Sequence, residues 1–241
     1  MARGTVVRYT GDWPGTIVLR HGLSKAVARP WNADVPDAHL TMVRGSSAFL
    51  EMCVSELLEL GAPSVMSPPL PSSSVRTWSD AGFEAFEWLD VFGRDLALEV
   101  PDPDMPVNTE REVDWAEVQE VDSQAFEPFW RLDSGGLSEA ATATPAAVVL
   151  TVRDDALFGF SIVGAGASAG YLQRLAVAPS AQHRGIGRAL VRASIRWARH
   201  HGAHQMLLNT LGNNDAASNL YLAEGFTHLD DRLAILRSSG T

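Results

Sequence analysis

Apolar and polar positions along the chain change period several times. From Gly187 to His201 the apolar residues recur at helical spacing, with Arg188, Arg192, Arg196 and Arg199 spread along the polar positions and Gly202 at the stop. Ser46 to Leu60 reads as a second amphipathic helix, capped by Ser46 or Ser47 and ended by Gly61. Ala146–Val152 and Leu157–Val163 are short apolar runs of strand length, and Asp154 and Asp155 mark a hairpin turn between them. Gly164 to Gly170 reads as a glycine-rich turn, followed by a strand from Tyr171 to Val177. Downstream the pattern predicts a strand over Met206–Thr210, a helix over Asn214–Glu224 and a last strand over Leu229–Leu236. Strands interleaved with helices predict an α/β sandwich.

The first hundred residues are less regular. Pro14, Pro30 and Pro36 break the start, where only Thr16–Leu19 reads as a strand. Pro68–Ser74 reads as loop, Ala85–Val91 as strand, and Pro101–Pro106 (PDPDMP) as the clearest linker. After it, Val113–Phe126 reads as a helix and Pro128–Thr144 as irregular and partly helical. The expected division is 1–100 for a first unit, 101–106 for the linker and 107–241 for a second unit. Helix, Gly61-Ala62 and a short apolar strand in the first unit parallel helix, Gly202-Ala203 and an apolar strand in the second. Trp78-xxx-Gly82-Phe83 then parallels Tyr221-xxx-Gly225-Phe226, which reads as an ordered internal repeat.

Composition narrows the function classes. With 241 residues, 46% hydrophobic and 20% charged, the chain has enough apolar content for packed cores. A net charge of −10 disfavours a general nucleic-acid or anionic-membrane binder. The charge is uneven: between Asp155 and Asp215 there are six arginines and no carboxylate, which suggests one small anionic ligand. Cys53 is the single cysteine, so neither an intrachain disulfide nor a cysteine zinc cluster is available. No apolar run is long enough to span a membrane and the start lacks a signal-peptide layout, so a cytoplasmic setting is expected. His200, His201 and His204 resemble a metal cluster, but Gly202 breaks the helix between them, and no metal is expected. The tryptophans read as core, except that Trp130 could line a substrate cleft. Cys53 reads as a buried, inert thiol.

One segment carries a specific chemistry. Gln182, His183, Arg184, Gly185, Ile186, Gly187, Arg188 and Ala189 lie between a strand and a helix. A helix start leaves backbone N–H groups without intrahelical partners, and the helix dipole adds positive charge there. Glycines let an anion approach the backbone, so the segment reads as a phosphate cradle. It lacks the Gly-Lys-Ser/Thr ending of a nucleotide-triphosphate loop.

At the right distance downstream stands Asn214-x-x-Ala217-x-x-Leu220-Tyr221-x-x-x-Gly225-Phe226. The two segments together resemble the GNAT superfamily of acyl-CoA-dependent N-acyltransferases, over roughly 107–237. The resemblance implies a mixed central sheet flanked by helices, with a smaller, degenerate GNAT-like unit in front of it. It implies acetyl-CoA as co-substrate and an amine, on a small molecule or a peptide, as acceptor. Residues 182–189 would hold the pyrophosphate. Leu175, Ala176 and Val177 would pair with pantetheine, and the Val177 N–H would face the thioester carbonyl. Asn209, Asn214 and Ala217 would border the cofactor, and Tyr221 would protonate the leaving thiolate.

The sequence departs from the family at the base. Many relatives carry Glu where Gln173 stands, and the alanine-acetylating relatives carry Glu where Asn209 stands. Asp133, Glu127 and His204 are the substitutes to consider, and a CoA-binding protein without turnover is the alternative. The first unit, with Val43-Arg44-Gly45-Ser46-Ser47 in place of the cradle, would complete the fold, shape the acceptor pocket or mediate dimerisation.

Overall fold

The computed structural model describes residues 7–240. The chain divides into two compact units: residues 1–89 with 231–241, and residues 90–230.

The first unit opens with an antiparallel meander of four strands: β1 (Arg8–Thr10), β2 (Ile17–His21), β3 (Ser24–Pro30) and β4 (Ala38–Arg44). Only the second of these corresponds to an expected strand. Ile17, Leu19, Ala26, Ala28, Ala38 and Leu40 supply its buried positions, and the alternation is carried partly by alanine. Helix α1 (Ser47–Glu59) follows, with Ser46 Oγ accepting from the Phe49 N–H at 3.4 Å. Its buried residues Phe49, Leu50, Cys53, Val54 and Leu57 form one helical stripe. Strand β5 (Val65–Met66) runs parallel to β4. The segment expected to be loop, Pro68–Ser74, instead holds strand β6 (Leu70–Pro71) and the start of helix α2 (Ser72–Ser79), with Pro71 extended at the N-cap. The core of this unit gathers Leu19, Leu40, Phe49, Leu57, Trp78 and Phe83 with Ala234 and Leu236 from the chain's end.

Strand β7 (Glu84–Asp95) leads into the second unit. Residues 101–106, expected to be a linker, belong to this unit: Asp102 takes Arg196 at 2.7 Å and Asp104 takes Arg192 at 2.9 Å. The elements continue as β8 (Asn108–Glu110), α3 (Trp115–Ala125), a 3-10 turn (Pro128–Trp130), α4 (Ser134–Thr142), β9 (Ala146–Arg153), β10 (Leu157–Ala165) and β11 (Ala169–Val177). After them come α5 (Ile186–His200), β12 (Gln205–Leu211), α6 (Asp215–Ala223) and β13 (Thr227–Ser238). The glycine-rich turn is shorter than the sequence suggests, because β10 and β11 pair as far as Ala165 and Gly170. Residues 231–238 of β13 return to the first unit, where they pair with β5 and β6.

Strand order in the second unit is β7-β12-β11-β10-β9-β8, with β11 and β12 parallel. Both faces are covered. Arg174 on β11 pairs with Asp122 of α3, and its cross-strand partner Ile162 shares that face. Ser161, one residue along and therefore on the other face, meets Ser194 of α5 at 3.1 Å. Coverage on both sides explains why β10 is an almost uninterrupted apolar run, buried at nearly every position.

Candidate active site

Two local features build the site. The first is the start of α5, where Gly185 holds φ +82° and His183 φ +60°. The left-handed region suits glycine and strains histidine, a cost that proteins tend to concentrate at ligand sites. No side chain caps this helix and no carboxylate lies in its first turn. Helix α2 is likewise uncapped, whereas α1, α3, α4 and α6 are capped by Ser46, Asp114, Asp133 and Asn214. The Ala189 N–H returns to Gly185 O at 3.0 Å, so the first-turn amides ahead of it have no helical acceptor.

The second feature is the splay of β11 from β12. Their registered pairs are Ala169↔Gln205, Gly170↔Met206 and Tyr171↔Leu207, and the pairing stops there. Gln173 is the extra residue of a bulge, since Ile162 faces Arg174 and Val163 faces Leu172. Its Oε1 is buried without a hydrogen-bond partner. Further along, the Ala178 N–H donates to Phe158 O at 2.8 Å, towards β10. Strand N–H groups alternate edges, so the Val177 N–H points the other way, into the gap that β12 has left. Gln182 Nε2 donates to Val177 O at 3.4 Å on that same edge.

A cavity of about 550 Å³ joins the two features. Leu175, Ala176 and Val177 line it from β11, and Gln182, His183, Gly185, Ile186, Gly187 and Arg188 from the turn into α5. Ala217 and Tyr221 line it from α6. Tyr221 is 6% exposed and sits between Phe92 and Phe226, at 6.0 and 5.9 Å between ring centroids. Burial pushes its phenol up to about 12, so it stays protonated at neutral pH.

Other expected residues lie off the cavity. Arg184 stacks its guanidinium over the Phe158 ring at 4.9 Å. Ala189 is fully buried, with its N–H already used. Asn209 is exposed on β12, and Asn214 spends its Oδ1 capping α6 through the Ala217 N–H at 3.1 Å. Asp133 caps α4 by accepting from the Gly136 N–H at 2.7 Å, Glu127 is exposed, and His204 borders a separate cavity with Arg94 and Thr227. Sequence reasoning gave Leu220 only as a motif position and passed over Ala125, Phe126, Ala181, Ala216 and Asn219, which also line the site. Ala216 could have been found as a helical neighbour of Leu220. Phe126 carries no local signal.

The arginine-rich window is largely neutralised. Glu224, 4% exposed at its side chain, takes Arg192 Nε at 2.8 Å and Arg188 Nε at 3.0 Å. The hydrogen bond that Arg192 donates to Glu224 holds it above its ordinary pKa range. Asp122 takes Arg174 Nε at 2.6 Å. Arg188 remains half-exposed at the cavity.

Comparison with known proteins agrees with this geometry. Residues 111–226 match the acetyltransferase (GNAT) family. Aminoglycoside N(6')-acetyltransferase type 1 of Klebsiella aerogenes is 33% identical over 96 residues, which cover 36% of this chain and 63% of that protein. A tandem GNAT protein from the clavulanic acid biosynthesis pathway superposes with a TM-score of 0.67 at 13% identity, covering 94% of this chain and 83% of its own. The GCN5-related N-acetyltransferase of Kribbella flavida gives 0.59 at 12% identity, over 98% and 91%. Those two likenesses show a shared fold. Residues 111–226 are an acetyltransferase domain of the GNAT family.

Proposed function

We propose that the protein transfers an acetyl group from acetyl-CoA to a primary amine by direct attack in a ternary complex. The observation that carries this reading is the single cavity joining the uncapped start of α5 to the splayed edge of β11 and to Tyr221. The site fits the co-substrate. A diphosphate suits the amides and dipole of α5, with Arg188 beside them. The free edge of β11 at Leu175 and Val177 suits the amides of pantetheine, as an added strand would. The amine nitrogen attacks the acyl carbonyl, the C–S bond breaks, and the departing thiolate takes the Tyr221 proton. The Val177 N–H faces the carbonyl oxygen, and a donor of this kind is typically worth ~3–4 kcal/mol. No carboxylate among the described residues lines the cavity, so the amine's surplus proton leaves to water, and water returns a proton to the Tyr221 phenolate.

The name of the Klebsiella aerogenes relative gives an aminoglycoside as that protein's acceptor. A cationic, amine-rich acceptor suits a chain of net charge −10. The test is thiol release from acetyl-CoA with kanamycin A, spermidine and a lysine peptide. Release with any of them supports the transferase. Binding of acetyl-CoA without release supports the second reading, a CoA-binding regulator, which the absence of a lining carboxylate favours.

The first unit is read as a degenerate copy. Strand β4 pairs with β5 only at Ala38↔Val65 and His39↔Met66, a short parallel pairing like that of β11 with β12. Its would-be cradle is closed, however. Ser46 caps α1, and a Cβ on Gly45 would stand 2.4 Å from the Phe49 ring. We assign it no CoA binding, and residues 90–230 are the proposed catalytic domain.

A further inference from the structure

Asp122 is completely buried on α3, and both its oxygens are used. Its Oδ1 accepts from Arg174 Nε at 2.6 Å, and its Oδ2 accepts from Arg174 Nη2 at 2.8 Å and from the Leu132 N–H at 2.9 Å. Arg174 Nη2 also donates to Trp130 O at 2.7 Å. The guanidinium carbon lies 3.5 Å from the centre of the Phe126 ring, which lines the cavity. One ion pair therefore anchors three points of the segment 126–132. Its root is β11, one residue before Leu175, on the strand proposed to hold the thioester.

We propose that Asp122 and Arg174 are a positioning pair that fixes the 126–132 segment and so holds Phe126 as the acceptor-side wall of the cavity. Phe126, residues 175–177 and the turn into α5 line the same cavity, and on this proposal the amine reaches the acyl carbon along the Phe126 side. Fixing the wall to the thioester strand sets the approach of the amine and keeps bulk water from the acyl carbon. Only a guanidinium supplies the fork on the carboxylate, the third bond to Trp130 O and the flat face over Phe126 together. A lysine keeps the charge and loses that geometry.

This inference rests on the proposed transferase reading, and its test separates the two. Wild type, Arg174→Lys and Asp122→Asn are compared by acetyl-CoA titration, by hydrogen exchange over 126–132, and by thiol release from acetyl-CoA without amine and with kanamycin A. The expected result for Arg174→Lys is an unchanged CoA dissociation constant and at least tenfold faster exchange in 126–132. Amine-independent thiol release should rise severalfold, as water replaces the amine at the carbonyl and yields acetate and free thiol. Where kanamycin A is turned over, its KM should rise more than kcat falls. Should Asp122→Asn fail to fold, Arg174→Lys still decides. Wild-type exchange and thiol release in Arg174→Lys would overturn the positioning role. Faster exchange in a protein whose wild type binds no acetyl-CoA would support the clamp and sink the transferase reading.

Discussion

A Cβ on Gly187 would stand 3.3 Å from Leu220 Cδ2 and 3.8 Å from Val177 Cγ2. The first turn of α5 thus lies against α6 and the end of β11, with all three residues lining one cavity. A larger side chain at 187 must either push Leu220 aside or project into the space proposed for the diphosphate. Gly187→Leu should weaken acetyl-CoA at least ~10-fold by calorimetric titration, since it blocks backbone approach without touching Tyr221.

Tyr221→Phe separates chemistry from binding. Removing the hydroxyl should lower turnover at least ~10-fold, within the range usual for general acid catalysis, and leave CoA affinity unchanged. Burial raises the phenol to about 12, above the ordinary 10 of the unfolded chain. The protonated form therefore persists through pH 9, and the wild-type rate should show no alkaline fall from this group below that pH. The same shift stabilises the fold below pH 10, a contribution that fades as pH rises towards 12.

Glu224 joins α6 to α5 through Arg188 and Arg192, and its carbonyl accepts from Arg94 Nε at 2.9 Å. Glu224→Ala leaves Arg192, 13% exposed at its side chain, with the exposed Asp104 and the carbonyl of Asp102. Loss of one partner from a buried pair typically costs ~3–5 kcal/mol, and the remaining partners place this variant near the lower end. Urea denaturation should show a loss of about 3 kcal/mol, with Glu224→Gln between the two.

His39, on β4, packs against Trp31 at 4.6 Å between ring centroids, and its Nε2 is buried without a partner. Burial, with the Arg29 charge second, lowers its pKa to about 3. The unfolded chain binds a proton near pH 6.5 that the folded chain refuses. Stability present above pH 6.5 is therefore lost as pH falls towards 3. His39→Phe should flatten the dependence of melting temperature on pH between 6.5 and 4, measured against wild type in the same buffers.

The second unit was largely legible because its signals are local. Helix α5 shows in the spacing of Leu190, Val191 and Ile195, and the cradle shows in Gly185 and Gly187 before it. The meander β1 to β4 was mostly hidden, since Ala26, Ala28 and Ala38 bury as completely as Ile17 but carry little hydropathic contrast. The role of Arg174 was also hidden. It counted as one of six arginines in a window without carboxylates, whereas its partner Asp122 lies 52 positions away in sequence and meets it only through packing of α3 on β11. For the same reason Asp102 and Asp104 read as linker residues until Arg196 and Arg192 were found on them.

A structure with CoA bound tests the central claim most directly. The account predicts diphosphate oxygens within hydrogen-bond distance of main-chain N–H groups among 183–188, and the sulfur beside Val177 and Tyr221. Diphosphate density elsewhere, with the 183–188 turn closed by its own side chains, would contradict it.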